Sequence, residues 1–60
     1  MTTAMDEWVT LVEDCENREQ RLSDWERTFI DSVRRQLDAG RPLTTKQSDT
    51  LNDIWDKVTW

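Results

Sequence analysis

Sixty residues and 7.2 kDa leave room for one small domain, residues 1–60. Thirteen acidic against eight basic side chains give a formal charge of −5 and a pI near 4.4, so the chain as a whole is repelled by phosphate backbones and anionic lipid. With no His and one Cys (Cys15), neither a His/Cys zinc site, an internal disulfide nor a His-dependent nucleophile can be assembled; a non-enzymatic binding module without cofactor or metal is expected.

Apolar runs never exceed two residues, as at Trp8-Val9 and Ile54-Trp55, so neither a membrane span nor a signal-peptide core is expected, and a cytosolic location is. Burial at ~25 cal/mol/Å² returns on the order of 95 kcal/mol for a chain of this size, against about 90 kcal/mol for ordering it. Such a chain is marginally stable alone and gains from a partner or a second copy.

The first helix is predicted at about 4–20. Thr3 is its N-cap candidate with Asp6 at the third helical position, and Met5, Trp8, Val9, Val12 and Cys15 recur at i, i+3, i+4 and i+7, with Leu11 on the flank. The break at 20–23 is less marked, and a bent continuous helix is the other reading there. Ser23-Asp24-Trp25-Glu26 fits a capping box and opens a second helix at 24–39, whose stripe is Trp25, Phe29, Val33 and Leu37, widened by Ile30. Gly40 stands where a left-handed C-terminal residue is wanted, and Pro42 follows where a helix cannot easily continue.

Thr44-Thr45-Lys46-Gln47 is another capping box and opens a third helix at 45–58, with Gln47, Leu51, Ile54, Trp55 and Val58 along one face. The short Gly40–Leu43 link makes helices two and three an antiparallel hairpin, residues 23–60, with Leu22 and Leu43 plugging its ends. The fold class is therefore all-α, a small three-helix bundle in which an acidic amphipathic helix (1–20) packs on the hairpin.

Charge is unevenly placed. Residues 1–20 carry six acids (Asp6, Glu7, Glu13, Asp14, Glu16 and Glu19) against Arg18 alone, while the rest of the chain is balanced. Glu16 and Glu19 oppose the helix macrodipole, and no lysine alternates with the acids at i, i+4. Two readings follow: a solubilising face, or a surface for a basic partner. On the second helix Arg27–Asp31, Asp31–Arg35 and Arg34–Asp38 read as i, i+4 pairs on a solvated face.

Of the four tryptophans, Trp8, Trp25 and Trp55 belong to the apolar stripes and are expected in the core. Trp60 either folds back as a cap or stays exposed as an anchor for a partner. Cys15 reads as a small core residue, its pKa raised by acidic neighbours. Asp49, Asp53 and Asp56 read as surface acids.

At residues 25–58 the pattern Trp-Glu-x-x-Phe-Ile-x-Ser, then Gln36-Leu37-x-x-Gly40-Arg41-Pro42-Leu43-Thr44-x-Lys46-Gln47, then Leu51-x-x-Ile54-Trp55-x-Lys57-Val58 resembles a helical hairpin that recurs in bacteriophage proteins, some of them acting in DNA metabolism. With its size and acidity, the chain is similar in kind to phage anti-CRISPR proteins that obstruct type I surveillance complexes. That resemblance implies a phage-encoded inhibitor in the host bacterial cytoplasm, with Asp6, Glu7, Glu13, Asp14 and Glu16 meeting a basic surface, such as the DNA-recognising subunit of the complex, and no direct DNA binding; Trp60, if exposed, is a further candidate for the partner contact. Reversing Asp6, Glu13 and Asp14 to lysine is then expected to abolish binding with helical content unchanged. The alternative is an accessory module of phage replication or recombination that touches nucleic acid or protein through Arg34, Arg35, Arg41 and Lys46. A third reading is a dimeric interaction protein, a homodimer that uses its apolar excess at a twofold interface and binds some other host regulator.

Overall fold

The computed structural model describes residues 3–60; Met1 and Thr2, included in the expected 1–60 domain, lie outside the described residues. Three helices, α1 (Ala4–Asn17), α2 (Asp24–Asp38) and α3 (Thr45–Val58), pack against one another as an all-α bundle, with no strand among the described residues. Each begins where a hydrogen-bonding cap is encoded. Thr3 and Asp6 exchange side-chain-to-backbone bonds of 3.2 Å each, Thr44 and Gln47 exchange bonds of 2.9 and 3.1 Å, and the Ser23 N–H donates to Glu26 Oε1 at 2.8 Å.

α1 stops three residues short of the expected 20. Arg18 leaves helical geometry (φ −117°, ψ 34°), and its N–H donates to the Cys15 carbonyl at 3.0 Å. One 3₁₀ turn, Glu19–Arg21, then swings Leu22 into the core, so the chain breaks here and the continuous-helix reading falls. α2 ends in a Schellman motif. Gly40 N–H donates to the Leu37 carbonyl at 2.9 Å and Arg41 N–H to the Gln36 carbonyl at 3.0 Å, which requires the positive φ of 76° at Gly40.

Side-chain pairs give the helix directions. Gln36 with Gln47 and Glu26 with Lys57 run in opposite order along α2 and α3, so the two are antiparallel. Trp8 with Ser48 and Asp14 with Trp55 run in the same order, so α1 lies parallel to α3. α1 packs closely on both other helices, whereas α2 and α3 approach each other least. The hairpin is thus tied near its two ends, by a reciprocal Gln36–Gln47 amide pair (2.9 and 3.2 Å) and by Lys57 on Glu26, while α1 fills the space between.

The core is Val12 and Cys15 from α1, Ile30, Val33 and Leu37 from α2, Leu51, Ile54 and Val58 from α3, and the two plugs Leu22 and Leu43. Trp8 and Trp55 flank it half-buried, each indole N–H bonded across to the other helix: to Ser48 Oγ at 3.2 Å and to Asp14 Oδ2 at 2.9 Å. Trp25 departs from expectation. It is 61 % exposed, and the inward position of that turn belongs to Glu26, 3 % exposed. The buried row of α2 is Glu26, Ile30, Val33 and Leu37: Ile30, Val33 and Leu37 are buried as expected, and only the first turn differs, with Glu26 in the place expected for Trp25. A carboxylate takes the inner place because Lys57 Nζ at 2.6 Å and the Ser23 N–H satisfy it there, and Trp25 is left on the outer flank.

Cys15 is fully buried and free. Burial, reinforced by the Asp14 carboxylate, pushes its thiol from 9.0 up to about 11. The unfolded chain therefore loses this proton first as pH rises, so the thiol's contribution to stability is complete below pH 9.0 and declines between there and about 11. A disulfide reagent at pH 8 is expected to label Cys15 only as fast as the chain unfolds; labelling at the rate of a free peptide thiol would contradict the burial.

Candidate functional site

An α-helix turns 100° per residue, which sets Asp6, Thr10, Glu13 and Asn17 opposite the buried Val12 and Cys15, with Asp14 and Glu7 further round toward α3. Asp6, Glu7, Glu13 and Glu16 are exposed and Asp14 is half-buried. No basic residue lies within α1, and residues 18–60 hold eight acids and eight bases, so α1 carries the whole −5.

The expected site residues differ in how they are held. Asp6 accepts the Thr3 N–H in the helix cap. Asp14 accepts the Trp55 indole N–H and so fixes α1 on α3. Glu13 and Glu16 lie 3.8 and 3.6 Å from Arg34 Nη1, looser than the ~2.7–2.9 Å of a charge-assisted hydrogen bond. Glu7 makes no ion pair or side-chain hydrogen bond among the described residues. Trp60 does not fold back: its ring is 94 % exposed while its carbonyl accepts from Arg21 Nη1 at 2.6 Å. With α1 parallel to α3, Trp60 sits roughly 20 Å along the bundle axis from Asp6, past the far end of α1. The five acids share one helix; Trp60 stands apart from most of them.

The parallel register adds residues that sequence reasoning left aside. Glu7, Thr10 and Leu11 face Asn52 across a shallow groove between α1 and α3. Asp49 and Asp56, three and four residues either side of Asn52, share its face of α3 and continue the negative surface beyond the groove. Both are exposed. Their i, i+3 and i+4 spacing around Asn52 was readable, but nothing local to α3 says that this face borders α1.

The bases lie elsewhere. Arg34 is turned inward: Nη1 is buried without a hydrogen bond between Glu13 and Glu16, and Nε is 3.5 Å from Asp38, so it bridges α2 to α1 instead of lying on a solvated face. Arg35 pairs with Asp31 at 3.4 Å, as its spacing predicts. Arg27 reaches the Glu19 carbonyl at 3.4 Å in place of the expected pair with Asp31. Arg41 and Lys46 are exposed at the hairpin tip.

Beside the 3₁₀ turn is an open cleft of about 250 Å³, whose rim mixes Glu16, Glu19 and Asp31 with Arg27 over Leu22 and Ile30. Among the described residues no three His, Cys, Asp or Glu side chains converge as metal ligands would, and no helix is long and apolar enough to cross a membrane. Comparison with protein-family models, curated proteins and solved structures finds no match to this chain.

Proposed function

We propose that this chain is a non-enzymatic inhibitor that presents the solvent face of α1 to a cationic protein surface, in the manner of phage anti-CRISPR proteins that cover the DNA-recognising surface of a type I surveillance complex. One observation carries the reading: the entire net charge lies on one helix that contributes no base of its own. Asp6 and Glu13, seven residues apart, are spaced by roughly 10 Å, and Asp49 and Asp56 form a second row with the same interval. Two such rows give an extended negative surface of the kind a cationic, phosphate-binding groove accepts. Each carboxylate desolvated against an arginine contributes about 1.5–3 kcal/mol, and four or five reach nanomolar affinity after the cost of association.

The structure changes the choice of variant. Asp6 caps α1 and Asp14 holds Trp55, so reversing Asp6, Glu13 and Asp14 costs stability as well as charge. Glu7→Lys with Asp49→Lys and Asp56→Lys alters exposed side chains outside the hydrogen-bond network and, at two units each, takes the formal charge from −5 to +1. Against a purified type I surveillance complex, this variant is expected to lose at least ~100-fold in affinity with helical content unchanged, and wild-type binding is expected to weaken with salt. Undiminished binding by the variant, or tight binding of the wild-type chain to DNA in a mobility-shift assay, overturns the proposal; the latter outcome supports the accessory nucleic-acid role.

A further inference from the structure

Trp25 and Trp60, 61 % and 94 % exposed, are the large apolar side chains that the fold leaves in solvent among the described residues. Sequence separates them by more than half the chain, but the structure brings them to one end. Glu26, next to Trp25, holds Lys57, three residues before Trp60, and Arg21, in the turn leading to α2, holds the carbonyls of Val58 (2.8 Å) and Trp60 (2.6 Å). Phe29, one turn beyond Trp25 on the same flank of α2, is half-buried. This flank borders α3, the helix that α2 approaches least, so the aromatic row is not closed over from within the chain.

We propose that this aromatic end is the contact surface of a twofold homodimer. Charge selects a second copy as the occupant. Any contact through α1 sets two surfaces of −5 against each other, whereas the aromatic end lies outside α1 and carries bases as well as acids. The rim of that end carries both signs, Asp24 and Asp53 with Arg21 and Lys57, as a surface that meets its own copy about a twofold axis requires. Area sets the strength. The two tryptophans offer on the order of 400 Å² of ring surface per copy. With Phe29 and the alkyl stems of Arg21 and Lys57, two copies reach the lower end of specific interfaces, near ~1,200 Å² in total. An interface of this size is that of a reversible dimer. It leaves both α1 faces outward, so each assembly displays two acidic helices.

Sedimentation equilibrium from about 1 μM to about 1 mM tests this. The wild-type mass is expected to climb from 7.2 kDa toward twice that value, and to do so at lower concentration when salt is raised, because screening removes repulsion between like-charged copies. Trp25→Ser with Trp60→Ser is expected to stay at the monomer mass with an unchanged helical spectrum. Trp60→Ser alone, which alters a ring outside the fold, is expected to weaken dimerisation at least ~10-fold. A wild-type chain that is monomeric across the whole range, or a dimer that the tryptophan variants form with the same constant, overturns the proposal. The Glu7→Lys/Asp49→Lys/Asp56→Lys variant keeps the dimer whether or not it binds the complex, so failure of this inference and failure of the acidic-face reading are distinguishable.

Discussion

Leu51→Ala is expected to remove a large share of the chain's stability. Leu51 is the largest fully buried side chain, and it lies in the core that all three helices share. Truncating a buried leucine costs roughly 2–5 kcal/mol, the sum of lost transfer energy and the cavity left behind. A domain of this length holds only about 3–9 kcal/mol in total. At roughly 4–8 °C per kcal/mol, a thermal melt followed by circular dichroism is expected to shift down by at least ~10 °C or to lose its cooperative transition. Trp25→Ser, at the exposed position, is expected to stay within about 0.5 kcal/mol of wild type when measured below the dimerisation range. Equal losses from the two substitutions would return Trp25 to the core, where helical periodicity alone had put it.

The second large effect belongs to Glu26. Lys57→Met leaves its buried carboxylate with the Ser23 N–H as the remaining donor, and a cost of about 2 kcal/mol is expected in urea unfolding at pH 7. This is below the usual range for a fully buried pair because Lys57 is itself half-exposed, and water screens its end of the interaction. Adding Glu26→Met is expected to recover part of the loss, since a buried apolar side chain needs no counter-charge. The acid limb carries the sign. The Lys57 hydrogen bond, then the Ser23 N–H, hold the Glu26 pKa below 4.5, so the unfolded chain takes up this proton first as pH falls. The stability from Glu26 is complete above pH 4.5 and is lost as pH drops through the lower, folded value. Lys57→Met is expected to flatten that limb; a variant whose stability falls as steeply in acid as wild type would remove Lys57 as the cause.

Helix positions and starts, and the stop at Gly40, were legible because they depend on neighbours three or four residues apart; the stop of α1 at Asn17 was not. The Thr3–Asp6 and Thr44–Gln47 caps and the Gly40 stop needed no information from elsewhere in the chain. The same holds for the concentration of charge on α1, which is a count along the sequence. Less legible was which side chain each turn buries. Trp25 and Glu26 compete for one inward position, and hydrophobicity favours the tryptophan until Lys57, 31 residues away, arrives beside the carboxylate.

What the amino-acid sequence determined by itself is an all-α bundle with capped helices, two leucine plugs and an acidic first helix. The tertiary structure alone decided how those acids are spent: Asp14 on Trp55, 41 residues distant, Glu13 and Glu16 near Arg34, and Glu7 left beside the Asp49–Asp56 face of α3. It also gathered Trp25 and Trp60 at one end. The physical reason is range. Backbone hydrogen bonds and apolar periodicity act within a helix, whereas ion pairs, indole donors and exposed aromatic surface depend on the register between helices, which is set only when three apolar stripes close on one core.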